Sequence, residues 1–424
     1  MMNGKETAPL SQEHIDYKAR QKRVSDAIQL KQPDRVPVAV FDEYFCLSLG
    51  GVTPGDAFYD YQKATEVFCK EVVRFNWDMV TVHGNFPGPV AESVGLKTNK
   101  WAGYNLPATQ QYQFVEKEYM LADEYDQFLK DPGDFTVRTL WPRMAESLAP
   151  FAIFPPLVAM SNGYSPIAEI ALLAGQPEVR QMLENLIKMG EEMNQYLAAL
   201  DQTVQALAQM GIPVISENVI AQAPFDWISD YLRGIKGSTM DMFYQPDKLK
   251  AAIEMITPTL IDYWITTAQE LGDSVVFIPL HRGADSFMSN DQFAEFYWPS
   301  LKELFLAIID AGLTPLPYWE GSYTSRLEFL AELPPGKIWG HFETVDLEKA
   351  REMIGDVMCF WGNVPAQILI SGTPDQTREY VIKLIDIFGD TGGLIVDGSL
   401  GIPKEAKLEN VEAMTEAVFK YGVY

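Results

Sequence analysis

The stretch SVVFIPLH at residues 274–281 is the clearest indication of the fold. It is a short apolar run, rich in β-branched residues, that ends on a histidine, and an amphipathic helical pattern follows it at 291–311. Similar runs recur along the chain: VPVAVF at 36–41, WDMVTVH at 77–83, IPVISENV at 212–219, TPLPYWE at 314–320, IWGHFE at 338–343, VMCFWG at 357–362 and GLIVDG at 393–398. Strand-like runs that alternate with helical patterns are typical of βα units and a parallel sheet.

Together these runs match the eight strands of a (β/α)8 barrel. We therefore predict an α/β protein in which residues 31–424 form a single TIM barrel, preceded by an N-terminal arm or helix at 1–30. The stretch 85–210 is too long for one βα unit and contains aromatic and helical patterns. It is predicted to be an insertion after the second strand that covers the barrel mouth and shapes the substrate pocket.

Composition and charge exclude several classes of protein. The net charge of −25 excludes a nucleic-acid partner, because a phosphate backbone requires a basic surface. No apolar run reaches the roughly 18 residues of a membrane span, and the N-terminus is too polar for a secretory signal, so we predict a cytoplasmic protein without membrane contact. The cysteines lack paired spacing, and glycine-rich phosphate-binding motifs are absent. A homodimer contact through the N-terminal arm is left open.

Polar and ionisable side chains are concentrated at the ends of the apolar runs. They are His83, Glu217, Asn218, His281, Arg282, Tyr318, Glu320, His341, Asn363 and Asp397. Loops that follow barrel strands gather at one face, so these side chains are expected to line one mouth. Glu320 and His341 end neighbouring runs, and carboxylate and imidazole are ligands of catalytic zinc. A simple Glu–His hydrogen bond is the alternative explanation of this pair.

Several segments resemble the uroporphyrinogen decarboxylase superfamily. They include RVPVAV at 35–40, PFDWISDYLRG at 224–234, DSFMSNDQFAEFYWPSLKELF at 285–305, FWGNVPAQIL at 360–369 and GLIVDGSLGIPKEAKLENVEAM at 393–414. The resemblance implies a (β/α)8 barrel and either porphyrin decarboxylation or zinc-dependent methyl transfer with a corrinoid protein. Decarboxylases of the superfamily carry an arginine-rich loop after the first strand, whereas FDEYFCLSLGG at 41–51 contains no arginine. The resemblance therefore favours the methyltransferase branch.

The end of the fifth strand separates two groups within that branch. Thiol-directed methyltransferases have HxCG there, and this chain reads YWEG, with Glu320 in the place of the cysteine. Glu320 followed after twenty residues by His341 resembles the zinc motif of O-demethylase methyltransferases, which implies that both are catalytic zinc ligands. Where that motif has a further glutamate, this chain has Phe305. Asp397 is then the expected third ligand, and Glu303 is a weaker candidate.

We predict a zinc-dependent methyltransferase that moves a methyl group from an O-methylated, aromatic donor to cob(I)alamin. A separate corrinoid protein is expected to carry the cobalamin, because the chain has no DxHxxG corrinoid box. The residues expected to bind the donor are His83, Glu217, Asn218, His281, Arg282, Tyr318 and Asn363. The alternatives are a methyltransferase for a methylamine, betaine or thiol, a decarboxylase or lyase, and a non-catalytic tetrapyrrole-binding module.

Overall fold

A computed structural model describes residues 12–82, 86–161 and 165–424 of the chain. The strands in these ranges are β1 Ala39–Val40, β2 Met79–Thr81, β3 Asn99–Trp101, β4 Tyr112–Phe114, β5 Val214–Ile215, β6 Val275–Leu280, β7 Thr314–Ser322, β8 Trp339–Thr344, β9 Cys359–Trp361 and β10 Leu394–Ile395. Each apolar run predicted to be a strand contains one of them, which confirms the predicted strands. The additional strands, β3 and β4, form an antiparallel pair within the predicted insertion.

The parallel strands form two sheets, with the orders β1-β2-β5 and β10-β9-β8-β7-β6. Single parallel bridges connect the edges of these sheets, Val38 with Val396 on one side and Ile220 with Phe277 on the other. Each parallel strand therefore neighbours the next one along the chain, and the last is bridged to the first. This arrangement confirms a parallel α/β architecture whose regular pairing is interrupted at two seams.

Helices connect the strands and cover the outside of the sheets. The longer α-helices are Gln12–Ile28, Tyr61–Val72, Ser165–Ala174, Pro177–Gln209, Gly234–Tyr244, Pro246–Leu271, Trp298–Asp310, Leu347–Ile354, Pro374–Phe388 and Leu408–Tyr421. Shorter α-helices are Phe45–Leu49, Pro54–Ala57, Gly88–Val94, Tyr125–Lys130, Pro132–Phe135, Trp141–Met144, Pro224–Ile228, Asn290–Gln292, Leu327–Leu330 and Ala366–Ser371. The 3-10 helices are Val73–Phe75, Ala122–Glu124, Ala149–Ile153, Leu157–Ser161, Thr324–Arg326 and Gly389–Thr391, and π-helical turns are Thr136–Leu140, Ser229–Arg233 and Phe293–Tyr297. None of the described helices has the length and apolar character needed to cross a membrane.

Local sequence explains where two of the helices begin. The helix Pro374–Phe388 follows Thr373, whose hydroxyl accepts a hydrogen bond from the backbone N–H of Gln376, while the Gln376 side chain accepts from the Thr373 backbone. This reciprocal cap satisfies N–H groups that the first helical turn leaves unpaired. The helix Leu347–Ile354 is capped in a similar way by Asp346 alone. The helical patterns at 344–354 and 374–388 in the sequence agree with these two helices.

The inner faces of the parallel strands form their own apolar cluster. Its buried members from the strands are Ala39, Ile215, Phe277, Leu316, Tyr318, Trp339, Cys359, Trp361 and Ile395. Because strand side chains alternate between two faces, residues two positions apart share this inner side. Glu320, two positions after Tyr318 in β7, is therefore directed to the mouth that the strand ends form.

A buried carboxylate ties the N-terminal helix to the first two strands. Asp78 is fully buried and accepts hydrogen bonds from Arg23 at 2.6 Å, from Arg35 at 2.8 and 2.9 Å, and from the Val38 backbone at 2.9 Å. Four such bonds compensate the loss of hydration of the buried charge. They hold the helix Gln12–Ile28 against the chain segment that enters β1.

Candidate active site

A network of carboxylates surrounds the residues that follow β6. Asp226 is buried and accepts hydrogen bonds from the backbone N–H groups of His281 (2.8 Å) and Arg282 (3.1 Å) and from the Tyr297 hydroxyl (2.7 Å). Asp230, one helical turn later, accepts from the His281 ring Nδ1 at 2.6 Å and from Arg282 at 2.7 Å. The loop after β6 is thus held against the segment that contains both aspartates.

His281 is a cation in this setting. Burial by itself lowers the pKa of His281, but the hydrogen bond to Asp230 and the nearby carboxylates outweigh burial and raise that pKa to about 9. Its second ring nitrogen, Nε2, lies 3.7 Å from the Glu320 carboxylate. An imidazolium held on one side by Asp230 therefore presents its other N–H group to the mouth.

Glu320 lies near the carboxyl end of β7 and has a side chain that is 40% exposed. Burial raises the pKa of Glu320, while the neighbouring His281 opposes that rise. Glu343, near the carboxyl end of β8, accepts a hydrogen bond of 2.5 Å from the Gly321 backbone N–H. Glu343 thereby secures the turn that carries Glu320 toward the mouth.

His341 lies one layer deeper than Glu320. Strand pairing sets His341 level with Tyr318, and the two rings are stacked with centroids 4.2 Å apart. His341 is fully buried, neither ring nitrogen has a hydrogen-bond partner among the described residues, and Nε2 lies 3.4 Å from Asp397. Burial lowers the pKa of His341 to about 3 and raises that of Asp397 well above its ordinary value. His341 is therefore neutral imidazole.

Of the predicted metal ligands, His341 and Asp397 thus lie together, whereas Glu320 lies beside His281, which was predicted to bind the donor. In the described ranges, no three His, Cys, Asp or Glu side chains lie close enough to form a ready-made metal site. Glu303 is exposed on the helix Trp298–Asp310.

A cavity of about 460 Å³ lies between the strand ends and the helix Pro177–Gln209, and its described lining includes none of these four residues. Glu43, after β1, and Glu217, after β5, are both in its wall. Burial raises the pKa of Glu43 to about 7, with the charges of Asp42 and Glu320 adding to the effect. Burial and then the charge of Glu43 raise the pKa of Glu217 to about 8. The two carboxyl groups are therefore close enough to repel each other when both are ionised.

The rest of the cavity wall comes from strands and from the predicted insertion. Strand residues include Phe41, Thr81, Ile215 and Phe277, and insertion residues include Tyr112, Tyr196, Leu200 and Val204. The helix Pro177–Gln209 therefore covers one side of the cavity, and the strand ends form the other.

Other predicted donor-binding residues already have protein partners. Asn218 donates to Asp273 at 3.2 Å, and Asn363 accepts from the Tyr380 hydroxyl at 3.1 Å. Arg282 is paired with Asp230, and Tyr318 is covered by its stack with His341. His83 lies outside the described residues.

Sequence reasoning missed several residues that the structure brings to this mouth. Asp42 and Glu43 lie in the loop after β1, and Asp226 and Asp230 lie in the segment PFDWISDYLRG. The four-residue spacing of the two aspartates puts them on one helical face, and this could have been recognised from the sequence. Their contact with His281 could not be predicted from the sequence, because it joins residues more than fifty positions apart.

The family model and the similar proteins that match this chain carry the same family description. A family model described as uroporphyrinogen decarboxylase (URO-D) matches residues 158–421. A uroporphyrinogen decarboxylase of Coxiella burnetii is 22% identical over 339 residues, which cover 76% of this chain and 89% of that protein. One of Chlorobaculum parvum is 23% identical over 181 residues, covering 42% of this chain and 50% of that protein.

A solved structure extends the likeness to nearly the whole chain. A methyltransferase from Methanosarcina mazei superposes with a TM-score of 0.58 and 16% identity, covering 95% of this chain and 98% of that one. At this identity the likeness shows a common fold.

Proposed function

Because the chain belongs to the uroporphyrinogen decarboxylase (URO-D) family, we propose that it is a methyltransferase on the fold of that family. The donor is an O-methylated, aromatic compound, and the acceptor is cob(I)alamin presented by a separate corrinoid protein. Cob(I)alamin supplies the electron pair for the new bond to the methyl carbon. The O–CH3 bond breaks, its electron pair stays on oxygen, and the resulting phenolate takes up a proton.

The charge of the cavity wall is the observation that carries this proposal. Decarboxylases that the sequence resembles hold substrate carboxylates with arginines after the first strand, whereas Asp42 and Glu43 occupy that loop here. Among the described residues that line the cavity, none is arginine, lysine or histidine. A polycarboxylate substrate would therefore be repelled at this wall. The near full-length fold likeness to a methyltransferase from Methanosarcina mazei adds support.

The proposal takes the parallel strands as one closed (β/α)8 barrel. The bridges Val38–Val396 and Ile220–Phe277 at the two seams support closure. In such a barrel, catalytic groups lie at the carboxyl ends of the strands. Glu43 and Glu217 follow strands at that end, and Glu320 lies near the carboxyl end of β7.

Zinc is the proposed metal, with Glu320, His341 and Asp397 as its ligands. The buried ring nitrogens of His341, which have no hydrogen-bond partner in the described part of the chain, support a ligand at this position. A neutral imidazole is also the protonation state that binds metal. Because His341 and Asp397 form only a pair, a third donor is needed, and Glu320 is proposed for it. Zinc bound there would supply Lewis acidity at the leaving oxygen.

The residues of the chain itself have separate roles in this scheme. His281 holds a proton near neutral pH and, supported by Asp230, donates a hydrogen bond toward the leaving oxygen. Glu217 is the proposed anchor for the donor, together with His83. Four further residues are proposed to act on the donor indirectly, by holding loops and rings in place. They are Asn218, Arg282, Tyr318 and Asn363.

The test is to mix the purified protein with cob(I)alamin, or a corrinoid protein that carries it, and a panel of methyl donors. We expect the methylcobalamin absorption spectrum to develop with an aryl methyl ether, with one phenol released per methyl group. Glu379→Gln, at an exposed position of an outer helix, is a matched control that should retain the rate. Release of carbon dioxide from a porphyrinogen without methyl transfer to cobalamin would overturn the proposal.

A further inference from the structure

We infer that the cavity between Glu43 and Glu217 binds an ammonium group, so that the methyl donor is a cation. The inference rests on the proposed function and deepens it, since it names the charge class of the donor. It depends on the cavity wall formed by strand ends and the helix Pro177–Gln209, and it does not depend on the metal ligands.

The described wall of this cavity can carry only negative charge. Its carboxyl groups are those of Glu43, Asp201, Glu217 and Asp273, and no basic side chain is present among the described lining residues. Charges in a partly enclosed cavity interact more strongly than in bulk water, because less solvent screens them. A cation that enters this cavity relieves the repulsion between carboxylates, whereas an anion adds to it.

Several of these oxygens lack a protein donor. From the described residues, the Glu217 carboxyl group receives no hydrogen bond, and Glu43 receives one long bond of 3.3 Å from Gln111. The Oδ1 atom of Asp273 accepts from Ser216 at 2.6 Å, while its Oδ2 atom is buried without a partner. Buried acceptors that lack a donor are costly, so N–H groups of a ligand are a natural complement.

Aromatic rings form much of the remaining wall. The side formed by the loops and the insertion contributes Tyr44, Tyr112 and Tyr196. The side formed by the strands contributes Phe41 and Phe277, and the centroids of these two rings are 5.8 Å apart. Aromatic faces attract ammonium groups, including methylated ones that donate no hydrogen bond. Carboxylates together with aromatic rings therefore favour an organic ammonium ion over a neutral aromatic ring alone. The volume of about 460 Å³ accommodates a small ligand of this kind.

The experiment is calorimetric titration of the whole protein with pairs of probes that differ only in charge. Choline is compared with 3,3-dimethyl-1-butanol, and 4-(2-aminoethyl)-2-methoxyphenol is compared with 4-propyl-2-methoxyphenol. We expect each cation to bind at least about tenfold more tightly than its neutral partner. If choline is the tighter-binding cation, the ammonium nitrogen carries the methyl group of the donor. If the methoxyphenol amine is the tighter-binding cation, the ammonium group accompanies a methyl ether. Equal affinities within both pairs, or no cation binding at millimolar concentration, would overturn the inference.

Variants of the wall provide the second measurement. Glu43→Gln and Glu217→Gln should each weaken cation binding about tenfold and leave binding of the neutral probes unchanged. Glu379→Gln is the control that should bind like the unmodified protein. Unchanged cation affinity in both cavity variants, with thermal unfolding confirming that they are folded, would also overturn the inference.

Failure of this inference is distinguishable from failure of the proposed function. Demethylation of a neutral aryl ether without any cation binding rejects the cationic donor and keeps the methyltransferase. Cation binding that depends on Glu217 supports the cavity assignment even where no donor transfers a methyl group to cob(I)alamin, and in that case the proposed function fails.

Discussion

The Nδ1 atom of His281 lies 2.6 Å from a carboxylate oxygen of Asp230, while Nε2 of the same ring lies 3.7 Å from Glu320. One carboxylate thus orients the imidazolium, and the other lies on the open side of the mouth. Asp226 holds the same loop through the His281 backbone N–H. The proton-bearing edge of the ring is therefore positioned before any donor binds.

Replacing Asp230 by asparagine should remove this orientation and lower the pKa of His281 from about 9 toward 6.5. If His281 supplies the proton or hydrogen bond to the leaving oxygen, methyl transfer at pH 8 should fall by about 100-fold and be partly restored at lower pH. Nuclear magnetic resonance of isotope-labelled histidines reports the pKa directly. Asp356→Asn, at an exposed side chain, is the control. An unaltered pKa of His281 in Asp230→Asn would reject the proposed pairing.

Glu217→Gln should make the protein more stable at high pH. The folded-state pKa of Glu217 is raised to about 8 from an ordinary value of 4.5, mainly by burial, so its neutral form favours the folded state and its ionised form opposes it. This contribution to stability is complete below pH 4.5 and is lost as the pH rises through about 8. At pH 9 the variant should gain about 1 kcal/mol over the unmodified protein, and at pH 5 much less. Thermal unfolding at the two pH values tests this, and an equal gain at both would contradict it.

Zinc content should separate the proposed ligands from the proposed anchors. Glu320→Ala and His341→Ala are expected to lose both zinc and turnover, whereas His281→Ala and Glu217→Gln should keep zinc and change donor binding. His341→Ala should in addition lower stability by about 2–4 kcal/mol, because it removes a fully buried ring that stacks on Tyr318. Elemental analysis and thermal unfolding provide the readouts. Full zinc in both alanine variants of the ligands would reject them, and zinc loss in His281→Ala would add that residue to the ligand set.

Asp78→Ala should be among the more destabilising substitutions outside the mouth. It leaves the guanidinium groups of Arg23 and Arg35 without their buried partner, which costs about 3–5 kcal/mol. Asp34→Asn, which affects an exposed partner of Arg23, should cost at most about 1 kcal/mol. Denaturant unfolding of both variants is the measurement, and a loss as small for Asp78→Ala as for Asp34→Asn would refute the structural role.

Local patterns in the sequence were sufficient for the strands and for much of the mouth. Each apolar run contains a strand because alternation, β-branching and bounding turns act over a few neighbouring residues. The helix Pro374–Phe388 was predictable for the same reason, since its cap lies within four residues. The carboxylates Asp226 and Asp230 were overlooked, because the role of each depends on a loop far away in the chain.

The sequence by itself determined the alternation of strands and helices, the polar strand ends and the absence of arginine after the first strand. Only the tertiary structure decided which of those polar groups meet. Pairing of Tyr318 with His341 in neighbouring strands sets Glu320 one layer above the imidazole, beside His281, and leaves His341 next to Asp397. Strand register and the closing of distant segments around one mouth depend on packing across the whole chain, so residue spacing alone does not determine them.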